Sequence, residues 1–503
     1  MRNHSAILFA LAFLLVSSSF ANTVVTLAPT TTLSAESSNN TSAPTSISAS
    51  TNGIATSGNI SKVDFRAAMY AGATTKIYTT LLGWFGKSGH ISVGYSSQDQ
   101  AVVARQIEDM QSRGVDGTFL AWYGADSYED GTAQALKQQA ELHPGFNFAI
   151  MIDHGTITWD SRGLSATNAL IYHMNYIASQ YYSSPAYLHV NGRPVVMEFG
   201  MELENIDWPT VRASVQGNPL IIFRNPNGYQ RPLSDGAFAW GPDSSTAYLD
   251  DFYWNSEQNS SLIAFGGSAK GFNDSLASWS ANRFTSEQCG QTWLSSIAEA
   301  GKYYSAAHQL PFMMVATWND YEEGTTIESG VDNCLSISVS STNQTLVWSV
   351  SGQENTVDHY TVFISSDGEK LMPLTDIATG TRSLDLSSYT FPAGTYTAYV
   401  KAVGKNSLKN NISGPTTFTI AAAPIPAPTD FSIAASPAAR PGREHRDAPA
   451  QLHAPLGATI ELVRLKPWVE DRLPITRLRS RHQDNFSASA PGDEVGRGRA
   501  ENF

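Results

Sequence analysis

Between about Lys62 and Asn333 the chain repeats one pattern eight times: a short apolar run, then a longer and more polar stretch. The runs are Ile77–Trp84, Gly117–Tyr123, Phe146–Asp153, Pro194–Phe199, Pro219–Phe223, Gly236–Trp240, Leu262–Gly266 and Phe312–Trp318. Apolar runs this short, bounded by turn residues, read as strands buried on both faces. The stretches between them carry helical periodicity. In Gln98–Arg113, Val102, Val103, Ile107 and Met110 share one face and Gly114 supplies a stop, and Ser165–Tyr181 and Cys289–His308 read the same way. Eight strand–helix units over ~270 residues have the size of a (β/α)8 TIM barrel. The rival is a doubly wound sheet, but no Gly-x-Gly-x-x-Gly follows any of the runs.

After Cys334 the period shifts to two. Leu335–Val339, Thr345–Val350, Tyr360–Ser365, Ser383–Leu386, Thr395–Val403 and Thr416–Ile420 are β-branched and aromatic runs separated by turn residues. With Trp348 near the start, residues 334–421 are expected to form a small all-β sandwich of fibronectin type III or Ig-like type. Its expected role is a spacer packed against the barrel, the alternative being a glycan-binding module.

The ends differ from both. Residues 1–21 have the basic start, apolar stretch and Ser19-Phe20-Ala21 site of a secretory signal, and the stretch is too short to span a bilayer. Residues 22–61 hold 18 Ser or Thr and one charge, Glu36, and read as a disordered stalk or linker. Residues 422–503 open on the prolines at 424, 426 and 428. They then turn basic at Arg477-Leu-Arg479-Ser-Arg481, and read as a linker and disordered tail or the product of an altered frame. Cys289 and Cys334 are the only cysteines, and in an oxidising compartment they are expected to form one bridge. The expected location is secreted, extracellular or periplasmic.

Composition narrows the partner. Charged residues are 15% of the chain, below the usual ~25%, aromatics are 11%, and the net charge is −13. A nucleic-acid partner calls for a basic footprint and a membrane surface for a polybasic patch. Few charges and many rings suit a neutral, ring-shaped ligand such as a sugar. No later run reaches membrane-spanning length, no cofactor is implied, and a monomer is expected.

In such a barrel the chemistry sits at the C-terminal ends of the strands. Those ends carry Trp84, Trp122, Tyr123, Asp153, His154, Glu198 and Trp240, and the eighth runs into Trp318-Asn319-Asp320-Tyr321-Glu322-Glu323-Gly324. Glycoside hydrolysis uses two carboxyl groups, one protonated to help the leaving oxygen depart and one ionised. Asp320 and Glu323, three apart after an apolar strand, are candidates for that pair. A partly dry, aromatic-walled site would separate their pKa values and so divide the two roles. Trp84, Trp122, Tyr123, Trp240, Trp318 and Tyr321 are candidate walls for sugar faces, with Asn319, Asp153, His154 and Glu198 as partners for hydroxyls. Taken singly each ring reads more readily as core than as a platform, and Asp153 and Glu198 could pair with a barrel arginine. Asp153, His154 and Glu198 lack the spacing of a metal site.

Phe312-Met-Met-Val-Ala-Thr-Trp-Asn-Asp-Tyr-Glu-Glu-Gly-Thr-Thr-Ile-Glu328 resembles the catalytic segment of glycoside hydrolase families 71 and 99. In family 99 that segment reads Asn-Glu-Trp-His-Glu-Gly-Thr-x-Ile-Glu-Pro, and in family 71 Trp-Asn-Asp-Tyr-Gly-Glu. Gly94-Tyr95-Ser96-Ser97-Gln98-Asp99 is similar to the start of the family 99 barrel. The resemblance implies a secreted endo-acting hydrolase of α-1,3-glucan or α-mannan. It implies Glu323 as general acid, with Asp320 activating water or assisting the sugar 2-hydroxyl. Asp320 stands where family 99 has Glu, Glu322 where it has His, and Ser329 where it has Pro. The alternative function is a non-catalytic glycan-binding or adhesion protein on a barrel scaffold.

Overall fold

The computed structural model describes residues 59–240, 246–368 and 370–424. The expected leader, most of the Ser/Thr-rich stretch and the tail from 425 lie outside the described residues. Every expected apolar run in the first part forms a parallel strand: β1 (Lys76–Leu82), β2 (Gly117–Trp122), β3 (Asn147–Asp153), β4 (Arg193–Phe199), β5 (Leu220–Arg224), β6 (Gly236–Phe238), β7 (Ile263–Ser268) and β8 (Phe312–Val315). They pair in chain order, and β8 returns to β1 through Ile77↔Met313 and Thr79↔Val315, so the sheet closes into a barrel. A doubly wound sheet would keep two free edges. The bottom of the barrel is filled by rings: Tyr78 packs on Phe119, Phe119 on Phe265, and Phe265 stacks on Phe312 at 4.4 Å. At the start of β2, a methyl on Gly117 would lie 2.2 Å from the Asn147 carbonyl, so only glycine lets β3 approach there.

The helices follow local signals. α1 (Gln100–Ser112) begins where the Asp99 carboxylate accepts the Ala101 amide, and buries Val102, Val103, Ile107 and Met110. α2 (Tyr128–Leu142) and α3 (Ala166–Tyr181) start at Ser127 and Ser165, whose hydroxyls accept amides three residues on. α4 (Trp208–Ser214) and α5 (Thr246–Gln258) follow. The helix expected over Cys289–His308 is shorter. α6 spans Gln291–Ala298 and tightens to a 3-10 turn over Glu299–Lys302 before Tyr303 leaves it. Its start is set by Cys289, bonded to Cys334, and by Gly290 in the left-handed region. Among the described residues no helix is long and apolar enough to cross a membrane.

Past the disulfide, β9 (Ser336–Thr342), β10 (Thr345–Ser351) and β13 (Ser383–Asp385) form one antiparallel sheet. β11 (Val357–Ser365), β12 (Met372–Ala378), β14 (Gly394–Gly404), β15 (Asn411–Ile412) and β16 (Thr416–Ile420) form the other. The two close on Leu346, Trp348, Tyr360, Val362, Leu386, Val400 and Phe418. β12 and β15 are absent from the sequence expectation: β12 is an edge strand with Pro373 and no fully buried side chain, and β15 has two residues.

The sandwich is built into the barrel. Between β14 and β15 the chain dips so that Leu408 is fully buried within the barrel's own apolar core. The Asn406 amide donates to the Val63 and Arg113 carbonyls, and its carbonyl accepts the Trp293 indole at 2.9 Å. Ser61, inside the expected linker, donates its amide to the Leu408 carbonyl, and Lys409 donates to Val331.

Candidate active site at the barrel mouth

β8 ends at Val315, and the next residues bend inward while still bonded to their neighbours. The Ala316 amide reaches Ser268 and the Trp318 amide reaches Thr80. Asn319 is fully buried: its side-chain oxygen accepts the Leu82 amide at 2.8 Å, and its amino group donates to the Leu82 carbonyl and the Tyr95 hydroxyl. The segment is thereby fixed to the end of β1.

Asp320 then shapes the turn that bears the acids. Its Oδ1 accepts the amides of Glu322 (3.0 Å) and Glu323 (2.9 Å), while its own amide donates to the Thr317 hydroxyl. This is the Asx geometry that places residues i and i+3 on one turn. At Gly324, with φ +63°, a methyl would press on Asn273 at 3.1–3.3 Å, so glycine is required where the chain leaves. Asp320 is 3% exposed. Burial, and then the charges of Glu323 and Glu322, push its carboxyl up to about 8. Glu323 keeps 22% of its side chain exposed. Burial raises its pKa too, opposed by the Trp279 indole N–H, 3.1 Å from Oε1, and by Arg283 at 3.7 Å. Both carboxyls are raised and interact, so they titrate as a coupled pair and not independently.

Glu322 faces elsewhere. Its carboxylate accepts the Ile91 amide and bonds His90 Nδ1 at 2.8 Å, which holds the β1–α1 loop against the turn. His90 in turn stacks on Trp84 (4.7 Å between centroids, 11° between planes). From Trp84 the rings continue to Trp279 at 5.9 Å and to Tyr123 at 6.0 Å. Tyr123 stacks with Trp159 at 5.5 Å. Burial and the charges of Asp153, Glu129, Asp320 and Glu323 hold the Tyr123 phenol protonated, so it remains a donor.

The structure thus brings Asp320, Glu323, Trp84 and Tyr123 together, with Asp153 joined through Tyr123. Burial raises the Asp153 carboxyl, opposed by the Gly155 amide, His154, Arg224 and Tyr123. Glu198, His154 and Trp240 lie on the β3–β6 flank. Glu198 is buried, accepts the Met201 and Arg224 amides, and is pushed up to about 7 by burial. The Arg224 guanidinium lies over Phe199 and pairs with Glu202. His154 stands 3.8 Å from Glu204, and Trp240 packs edge-on to Phe199.

Trp122 and Trp318, two of the expected site residues, turn away from the mouth. Trp122 is fully buried between Tyr176, His173 and the Asp130 carboxylate, and Trp318 is fully buried under the Arg113 guanidinium at 4.8 Å. Neither ring has a face open to the mouth. With Asn319 they build the walls that fix the turn. Tyr321 is half-buried, its ring edge-on to Phe85 and its hydroxyl on Glu328.

Sequence reasoning missed Trp279, Arg283, His90, Trp159 and Glu328 as site neighbours. Trp279 and Arg283 come from the long connection between β7 and α6. Asp274 shapes that connection by accepting the Ala281 and Arg283 amides and the Ser280 hydroxyl. Glu328, within the quoted segment, is buried beneath the turn. It accepts Tyr95 (3.0 Å), Tyr321 (2.9 Å) and Gln106 (2.8 Å), and burial pushes it up to about 7. Glu328→Ala would take the acceptor away from the part-buried Tyr95 and Tyr321 hydroxyls and from one Gln106 N–H and is expected to cost roughly 2–4 kcal/mol. Glu328→Gln keeps an acceptor and is expected to cost far less. Urea unfolding of both variants checks this, and equal losses would contradict it. Among the described residues no group of three or more His, Cys, Asp or Glu is placed to hold a metal ion.

No family model and no curated protein matches the chain. Two solved structures of the GH99 endo-α-mannosidase from Bacteroides thetaiotaomicron are similar to it at 15–16% identity and TM-score 0.42, over 51% of this chain and 87–88% of theirs. A GH27 β-L-arabinopyranosidase from Geobacillus stearothermophilus is similar at 10% identity and TM-score 0.27, over 72% of this chain and all of its own.

Proposed function

We propose that the protein is a glycoside hydrolase that cleaves within α-linked polysaccharide chains, α-1,3-glucan or α-mannan, outside the cell. The observation that carries this reading is the single turn after β8. It places the buried Asp320 and the part-exposed Glu323 together beside an aromatic wall, with both carboxyls raised. Such a pair can hold one proton for a leaving glycosidic oxygen and one negative charge for the developing cation. Glu323, the more exposed, protonates the leaving oxygen, and Asp320 activates water or the sugar 2-hydroxyl in the state in which the proton it holds in the free protein has been given up. The segment's likeness to families 71 and 99 agrees with these roles and suggests the α-linkage. Asp153, His154, Glu198 and Trp240 contact flanking hydroxyls and sugar faces. The sandwich, of fibronectin III or Ig-like type, acts as a brace. The test is the release of reducing ends from a panel of α-glucans and α-mannans. Glycan binding with no release from any of them would favour the adhesion reading.

The raised Asp320 value fixes the sign of a pH effect. Its carboxyl titrates near 8 in the folded chain and near the ordinary 3.8 when unfolded, so the folded state holds a proton the unfolded state has released. The stability carried by that proton is complete below the unfolded value and lost as pH rises through about 8. Asp320→Asn cannot ionise, so its Tm is expected to exceed the parent's at pH 8 and to lose that advantage toward pH 4. Calorimetry across the range checks this, and a Tm difference independent of pH would contradict it.

A further inference from the structure

The rings at the mouth form a row, Trp159–Tyr123–Trp84–Trp279, in which the inner two are shielded and the outer two are open. Trp159 is 69% exposed and Trp279 44%. A contiguous row of rings with exposed members is the kind of apolar patch that marks a ligand groove, and Trp159 is held in place. One face stacks on Tyr123 at 22°. Gly155 makes the room, since a methyl there would lie 2.8 Å from the Trp159 ring and 2.9 Å from Tyr123. The Trp159 amide closes the short turn after β3 by donating to the Gly155 carbonyl. Nearby charges are already paired: Asp160 with His173 and Arg162, and Arg162 with Asp126 and the face of Tyr172. The free face of Trp159 therefore suits an uncharged, flat-sided ligand.

We propose that Trp159 is an outer sugar-binding subsite that takes a neutral pyranose unit of a linear oligosaccharide whose neighbouring units lie along Tyr123 toward the Asp320–Glu323 turn. The assignment rests on the glycosidase reading and adds the chain-length requirement to it. At the other end of the row, Trp279 bonds Glu323 directly, so the row of rings runs from Trp159 to the acids and a chain seated along it reaches them.

The test is calorimetric titration of the Glu323→Gln protein with α-1,3-gluco- and α-manno-oligosaccharides from two to six units. Affinity should rise with length. Adding Trp159→Ala should remove about tenfold from the longest chains and less from the shortest, while Trp159→Phe restores most of the loss. The same length series with and without Trp159, or no binding of any oligosaccharide, would overturn the subsite. Assays of the parent separate this from the parent reading. Trp159-dependent binding without hydrolysis keeps the subsite and removes the glycosidase, and hydrolysis indifferent to Trp159 does the reverse.

Discussion

Glu323→Gln is expected to lower kcat on an α-linked polysaccharide about 10²–10⁴-fold with the fold intact, because the amide cannot deliver a proton to the leaving oxygen. Its Oε1 can still accept the Trp279 indole N–H, so the turn should keep its shape. Asp320→Asn should lose activity comparably while still capping the Glu322 and Glu323 amides. The double variant should be little worse than either single one, since groups that act as a unit lose their effect together. Steady-state kinetics of the three variants, with circular dichroism as the control for folding, checks this. Additive losses would show that the two carboxyls act independently.

A second large effect is expected far from the acids. Stopping the chain after Asn333 removes Leu408 from the barrel core and Asn406 from the Trp293 indole and the Val63 and Arg113 carbonyls. Arg113 in turn donates to the carbonyls of Ile327 and Glu328, at the end of the segment that carries Asp320 and Glu323. The shortened chain should therefore fail to give a soluble, cooperatively melting barrel. In the full chain, Leu408→Ala alone should cost about 2–5 kcal/mol. A soluble barrel with the parent's melting profile would contradict the role assigned to this hairpin.

All eight barrel strands are legible in the sequence because parallel strands buried on both faces must be continuous apolar runs. Asp320, Glu322 and Glu323 stand out for the same reason, as the first acids after the last such run, and the three-residue spacing singles out Asp320 and Glu323. What escapes the sequence depends on approach in three dimensions. Trp279 and Trp159 sit in loops with no periodicity. His90 reaches the turn only because Glu322 bonds it. Trp122 and Trp318 look like strand-end platforms in the sequence, yet they face Asp130 and Arg113 on the outer side of the sheet. The helix expected over Cys289–His308 ends early because amphipathic spacing does not register the tightening at Glu299.

The most direct test of Glu323 as the proton donor compares two substrates in one variant. A polysaccharide needs its leaving oxygen protonated, whereas the α-fluoride of a short oligosaccharide of the same sugar departs without a proton. Glu323→Gln should lose the polysaccharide by at least about 100-fold while keeping the fluoride within about tenfold of the parent. Equal loss on both substrates, or loss on neither, would contradict the assignment.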